Sequence, residues 1–341
     1  MHTANVTEFK GATLNIPGVS VPSPVVTNMS PDFEDPAGIT FDSSNNQWVS
    51  VCGIGTGSIT EFAASVVKDL ATTPAPGANV VLTDDGTGTL VNCPWSLTFK
   101  SGNLWAANSN KNTAPPGFVT EYLPTQLTVS GDPTPNFTLT DPTQFVSPTG
   151  VVFDSARDLF VADFGPEQFG NAGRGAVWVF KAATIAGLTG TNTIKADAKL
   201  FDSTTVAPAN GAFDPRGNLW VADCTGNTTG EIYKFPKAVL TTGAASATTI
   251  FQSTSITTAN GTENTIDCPG GIVFDVQGNL WYTNSLSNQT AKGVGGAVGE
   301  FSASQLSATG KSTPTPNIFL DGSPGGANFD GPIGLTFGPP V

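Results

Sequence analysis

Proton transfer at neutral pH most often relies on imidazole, and this sequence of 341 residues contains a single histidine, His2. A Ser-His-Asp arrangement and a zinc site built on histidines are thereby excluded. Acid–base work would fall to carboxylates, and the catalytic candidates are Asp163, Glu167 and Asp223. Asn108, Asp163, Asp223 and Asn284 recur at one register, closing the stretches LWAAN, LFVAD, LWVAD and LWYTN. A shared register gives them similar radius and height, so they can line a ligand groove. The same residue types also cap their own turns through bonds to backbone N–H groups. The stretch 164–175 adds Phe164, Glu167, Phe169 and Arg174, which read as a ligand-binding cluster of aromatic surface and both charges, or as a solvated loop. Neither an EF-hand pattern nor a G-x-x-x-x-G-K-[ST] loop is present.

The elements that must position these residues come from one repeated hairpin. GAFD (residues 211–214) followed by PRGNLWVAD (215–223) reads as a strand, a Gly-Asn turn and a second strand. Copies begin near residues 38, 96, 150 and 271, and a shortened one, GLTFGPPV, closes the chain. The phenylalanine of each first strand falls at Phe41, Phe99, Phe153, Phe213, Phe274 and Phe337, one structural unit copied with loops of varied length. Third strands follow as ITEF, VTEY, VWVF, IYKF and VGEF, and fourth strands as NVVLT, NFTLT, KLFDS, TIFQS and NIFLD.

Four short strands per unit, with no helical crossovers between them, predict an all-β fold: a six-bladed β-propeller of four-stranded antiparallel blades in a single domain, 1–341. The blades are expected at 35–91, 92–146, 147–206, 207–267 and 268–330. A composite blade from both termini, 331–341 plus 1–34, closes the ring. The aromatics Trp48, Trp105, Phe160, Trp220 and Trp281 are the expected wedges between blades. The composite blade lacks the Leu-Trp strand. Three explanations stand beside each other: further residues, a strand lent by another molecule through edge addition, or a rearrangement.

Cys52 and Cys224 each follow a second strand, and Cys93 and Cys268 each precede a proline that opens a first strand. Pairing Cys52–Cys93 and Cys224–Cys268 respects the repeat, each bridge joining neighbouring blades; four reduced thiols are the alternative. Disulfides imply an oxidising compartment, and the expected location is extracellular, cell-surface or periplasmic. No stretch approaches the roughly 18 apolar residues of a membrane helix, and no signal peptide is recognised, so an exported form would have lost its leader. Six tripeptides opened by Asn5, Asn28, Asn136, Asn227, Asn260 and Asn288 match the glycan acceptor pattern, as expected by composition in a chain rich in Asn and Thr. With 14 Lys plus Arg against 27 Asp plus Glu, the net charge of −13 repels phosphate backbones and argues against a nucleic-acid partner.

The pattern P-x-G-[IV]-x-F-D, G-N-L-W-V-A-D, G-x-[IV]-x-x-F resembles the NHL-type repeat. The arrangement is similar to six-bladed propellers of the gluconolactonase/regucalcin and virginiamycin B lyase superfamily. That resemblance implies a ligand site over the central channel, where the lactonase branch holds a divalent metal with side chains at the entries to the first strands. Those positions here read Ala37, Trp95, Thr149, Asn210, Gly270 and Ile333, of which Asn210 alone suits a metal such as Ca or Mg. The lyase branch depends on histidines that this sequence lacks. The expected function is a secreted or cell-surface binding or assembly module that takes a small molecule, glycan or protein on the face carrying the long loops 109–117, 164–175 and 285–296. The alternatives are a metal-assisted lactone hydrolase or lyase, and a structural subunit that forms a homo-oligomer or polymer through the incomplete blade.

Overall fold

The computed structural model describes residues 6–9, 14, 17–20, 26–28, 35–52, 57–67, 77–84, 86, 90–109, 116–141, 143, 145–165, 175–201, 207–224, 230–243, 247–258, 261–285, 296–322 and 332–338. Each predicted hairpin forms. In three of them the turn is built by the aspartate that follows the first strand: Asp214 Oδ1 accepts the N–H groups of Arg216 and Asn218 while Oδ2 takes Asn218 Nδ2 and, at 3.2 Å, Trp220 Nε1. Asp42 and Asp275 repeat the same four bonds around Trp48 and Trp281. One carboxylate thus closes the turn and fixes the indole that will be buried.

Five sheets result, each a blade running from the axis outward. The first comprises Pro36–Phe41, Gln47–Cys52, Gly57–Phe62 and Val80–Thr83. The second comprises Pro94–Lys100, Asn103–Asn108, Phe118–Tyr122 and Phe137–Thr140. The third comprises Pro148–Phe153, Leu159–Asp163, Ala176–Phe180 and Ala198–Leu200. The fourth comprises Pro208–Phe213, Leu219–Asp223, Glu231–Phe235 and Thr249–Gln252, and the fifth Pro269–Phe274, Leu280–Asn284, Ala297–Phe301 and Ile318–Asp321. The first strands of successive blades are neighbours around the axis, as a propeller requires.

The core lies between blades. The phenylalanine of each first strand meets, edge-on, the second-strand aromatic of the blade before it: Phe99 on Trp48 at 5.8 Å, Phe153 on Trp105 at 5.1 Å, Phe213 on Phe160 at 5.1 Å and Phe274 on Trp220 at 6.4 Å between ring centroids. Such edge contacts are each worth about 0.5–1.5 kcal/mol beyond their buried area. A second contact recurs at every interface. Gly57, Gly117, Gly175 and Gly230, which open or precede third strands, lie against Pro94, Pro148, Pro208 and Pro269, which open the first strands of the next blades; a Cβ on any of them would come within 2.2–2.6 Å of the proline ring.

Among the described residues the blade count is five, where six were expected. Residues 332–338 are extended and occupy the place of a sixth first strand. Gly296 abuts Pro332, Phe337 meets Trp281 at 6.0 Å, and Gly334 lies against Ala37 and Gly38 of the first blade. Val6–Glu8 and Val26–Asn28 form a separate two-stranded ladder in the place of third and fourth strands. Their register, Val6 with Asn28 and Glu8 with Val26, matches that of Val119 with Leu139 and Glu121 with Phe137. Among the described residues no second strand joins 332–338 to this ladder. Paired strands sit about 4.8 Å apart, so these two elements cannot close one sheet without it.

An unpredicted feature ties the blades together. The connection between third and fourth strands of one blade lays a short parallel strand along the outer edge of the preceding one. Gly190–Thr193 pairs with Phe137–Thr140, Gly310–Ser312 with Thr249–Gln252, and Gly18–Ser20 with Ile318–Asp321. In the first blade a single bridge, Leu82 to Gly131, stands in for this strand. Each begins at a glycine of positive φ, between 69° and 145° at these four positions, so the chain can turn sharply onto the neighbour's edge. Both predicted disulfides are present: Cys52–Cys93 joins the first and second blades, and Cys224–Cys268 the fourth and fifth.

Candidate functional site

The first strands and residues 332–338 surround a central cavity of about 280 Å3. All six residues that the family resemblance singles out, Ala37, Trp95, Thr149, Asn210, Gly270 and Ile333, line it. Counted from the opening proline, however, Asn210 stands one residue deeper than the other five, in register with Gly38, and Ala209 is the residue matching Ala37. The pairing of Pro208 with Asp223 and Asn210 with Ala222 skips a residue at this point, an irregularity that recurs after the opening proline of every blade.

The polar groups at the cavity mouth are engaged locally. Thr149 Oγ1 donates to Pro208 O at 3.1 Å, Asn210 Oδ1 accepts the N–H of Gly211 at 2.8 Å, and Trp95 Nε1 points at Cys93 Sγ at 3.2 Å. Trp95 and Asn210 are both half-buried, leaving an indole face and a carboxamide toward the opening. Among the described residues none that lines it carries a charge. A calcium ion takes six to eight oxygens, usually with carboxylates among them. The lining offers one carboxamide oxygen, already accepting a hydrogen bond, and among the described residues no group of three His, Cys, Asp or Glu could hold a metal. The residues present do not fit a divalent cation at the channel.

The strand-end residues lie elsewhere than in a groove. Asn108, Asp163, Asp223 and Asn284 are buried, each joining the end of a second strand to the entry of the first strand of its own blade. Asn108 Oδ1 accepts from Asn92 N, Asp223 from Ala207 N, and Asn284 Oδ1 from Asp267 N. Asp163 accepts three backbone N–H groups, from Val146, Ser147 and Gly165. Burial nonetheless pushes its carboxyl up to about 6, the three donors and Lys199 opposing the shift. These side chains spend their oxygens on buried amides, and none lines the cavity. Phe164 is half-buried beside this cap, while Glu167, Phe169 and Arg174 lie outside the described residues. The sequence reading passed over Ala209, Ser96 and Thr98, which line the cavity as small or hydroxyl residues in a chain rich in both.

A ring of radial antiparallel sheets around an axial cavity defines a β-propeller. No protein-family model matches the chain, and no curated protein matches it in sequence. Among solved structures, the holo form of the pyranose dehydrogenase PQQ domain from Coprinopsis cinerea superposes with a TM-score of 0.54 at 13% identity, covering 89% of this chain and 88% of that one. A streptogramin B lyase gives a TM-score of 0.46 at 14% identity over 91% and 90% of the two chains. The virginiamycin B lyase of Staphylococcus aureus gives 0.44 at 14% over 83% and 71%. The propeller likeness implied by the repeat is thus found at the level of fold, and identities this low extend to the fold alone.

Proposed function

We propose that this protein is a binding module of an oxidising, non-cytoplasmic compartment that takes an uncharged ligand at the mouth of its central channel. The single observation that carries this reading is the described lining: five first strands and residues 332–338 converge on an opening with one indole, one carboxamide, hydroxyls and backbone groups, and among the described residues no ionisable side chain. Apolar surface with a few convergent polar groups suits recognition of a neutral molecule such as a sugar or a small amide. Acid–base catalysis would need a titratable group within hydrogen-bond reach of the ligand, and among the described residues the lining has none. The two disulfides support the compartment. Among the described residues no helix is long and apolar enough to cross a membrane.

Calorimetric titration with a panel of neutral sugars, lactones and small amides tests the proposal. At least one class should bind saturably, and Trp95→Ala should weaken it tenfold or more without changing the melting temperature beyond a few degrees. Turnover of a lactone that is abolished by a chelator would overturn the reading in favour of the hydrolase.

A further inference from the structure

We propose that the Cys52–Cys93 disulfide is a positioning device for the channel-mouth site: its sulfur tethers the indole of Trp95, so that Trp95 meets a ligand with its ring surface and withholds its N–H. The inference rests on the proposed binding of a neutral ligand at that mouth. It gives the two bridges different duties, with Cys224–Cys268 serving to join blades.

Trp95 needs a tether because the ladder does not hold it. Pro94 pairs with Asn108 and Ser96 with Ala107, so Trp95 is the residue left over in the skip between them. A residue left over in this way escapes the cross-strand pairing that fixes side chains in a regular ladder. The sulfur two residues back supplies the hold: Trp95 Nε1 donates to Cys93 Sγ at 3.2 Å. That sulfur is itself fixed. Cys93 is buried, its carbonyl oxygen accepts the N–H of Ser109 at 3.2 Å, and its Sγ also takes the Ser109 hydroxyl at 3.5 Å. A free cysteine side chain moves among three staggered rotamers, whereas the bond to Cys52 keeps Cys93 Sγ in one. Sulfur is a weak acceptor, so the contact orders the ring more than it adds to stability.

The second bridge is a built-in comparison. Cys268 shares the left-handed backbone, with φ of 44° against 46° at Cys93, and the following proline. A third-strand glycine of the preceding blade lies against each, Gly230 at Cys268 and Gly57 at Cys93. The position after the proline is Gly270, however, and Ser285, the counterpart of Ser109, donates its hydroxyl to the carbonyl oxygen of Cys268 at 2.7 Å. Joining two blades therefore requires neither an indole nor a hydroxyl on the sulfur. Both are found at the bridge beside an aromatic that lines the cavity. With Nε1 spent on sulfur, the half-buried indole offers flat apolar surface, which suits the apolar face of a sugar or lactone ring.

Exchange of indole N–H groups with solvent, followed by NMR on the whole chain, is the test. The Trp95 resonance is the one of six indole signals lost in Trp95→Phe. Its exchange should quicken at least tenfold in the double variant Cys52→Ala/Cys93→Ala and stay within twofold in Cys224→Ala/Cys268→Ala, which loses a bridge of the same kind. An unchanged rate in the first variant would overturn the proposal, and so would equal quickening in both, which reports lost stability alone. If the first variant fails to fold, the intact protein still decides. A disulfide in contact with an indole quenches its fluorescence, so Trp95→Phe should remove far less than an equal share of the emission of the six tryptophans, and loss of a full share would overturn the tether. Neither readout uses a ligand, so failed titrations with sugars, lactones and amides would remove the binding reading separately.

Discussion

A single carboxylate at the end of a first strand does more for this fold than any residue nominated for chemistry. Asp214 closes its turn with two backbone N–H groups, holds Asn218, and fixes the indole of Trp220, which is completely buried between blades. Asp214→Ala removes all four bonds together and frees a ring that must sit in one orientation. It should cost about 2–3 kcal/mol, read as a shift in urea midpoint with an unchanged slope. The aspartates and asparagines at the second-strand ends were legible as a set but not as to direction. A residue at a strand terminus can face the channel or turn back onto the incoming chain, and the loop decides which. In Asp163 the amides of Val146 and Ser147, preceding the first strand, lie where they capture the carboxylate. Asn210 illustrates a different failure: it stands three residues before its phenylalanine where Ala37, Trp95, Thr149, Gly270 and Ile333 stand four before theirs, so Ala209 is the equivalent position.

Between elements, the glycines at the entries to third strands set how closely one blade approaches the next. At Gly175 a Cβ would stand 2.2 Å from the carbonyl oxygen of Asp163 and 2.6 Å from the ring of Pro208. Both obstacles are rigid, so the neighbouring blade must move. Gly175→Ala should destabilise the protein by about 1–3 kcal/mol in chemical denaturation, whereas Gly187→Ala, with open space around it, should show only the smaller cost of a positive φ. Hairpins and third strands were legible because their apolar alternation recurs with a fixed Phe and Trp. The parallel outer strands were not, because GTNT, GKS and GVS carry neither alternation nor apolar bulk. Their faint signal is the glycine after a small residue or proline that opens each one. The sixth, composite blade was expected from a first strand at 331–341 and outer strands within 1–34; the outer pair forms, and among the described residues no second strand joins it to 332–338.

For the whole molecule, burial of acids within a strongly negative protein fixes how stability follows pH. Asp163 and Asp267 are both pushed up to about 6 from an ordinary value of 3.8, chiefly by burial. Glu61, Glu263 and Glu300 move in the same direction for the same first cause, with the Asp321 carboxylate adding to the shift of Glu263. An acid whose folded pKa is raised binds its proton more tightly in the native state. Its stabilisation is therefore complete below about pH 4 and is lost as pH rises through 6. The net charge of −13 acts in the same sense, since protonation relieves self-repulsion. The melting temperature should rise as pH falls from 7.5 to 5, and Asp163→Asn should flatten that rise; a melting temperature that falls over this interval would contradict both statements.

The three parallel strands laid on the outer edges of the second, fourth and fifth blades leave, at those edges, small and polar segments only three or four residues long. A template for runaway stacking requires a long, flat margin with free amides and carbonyls, and the described circumference offers little of one.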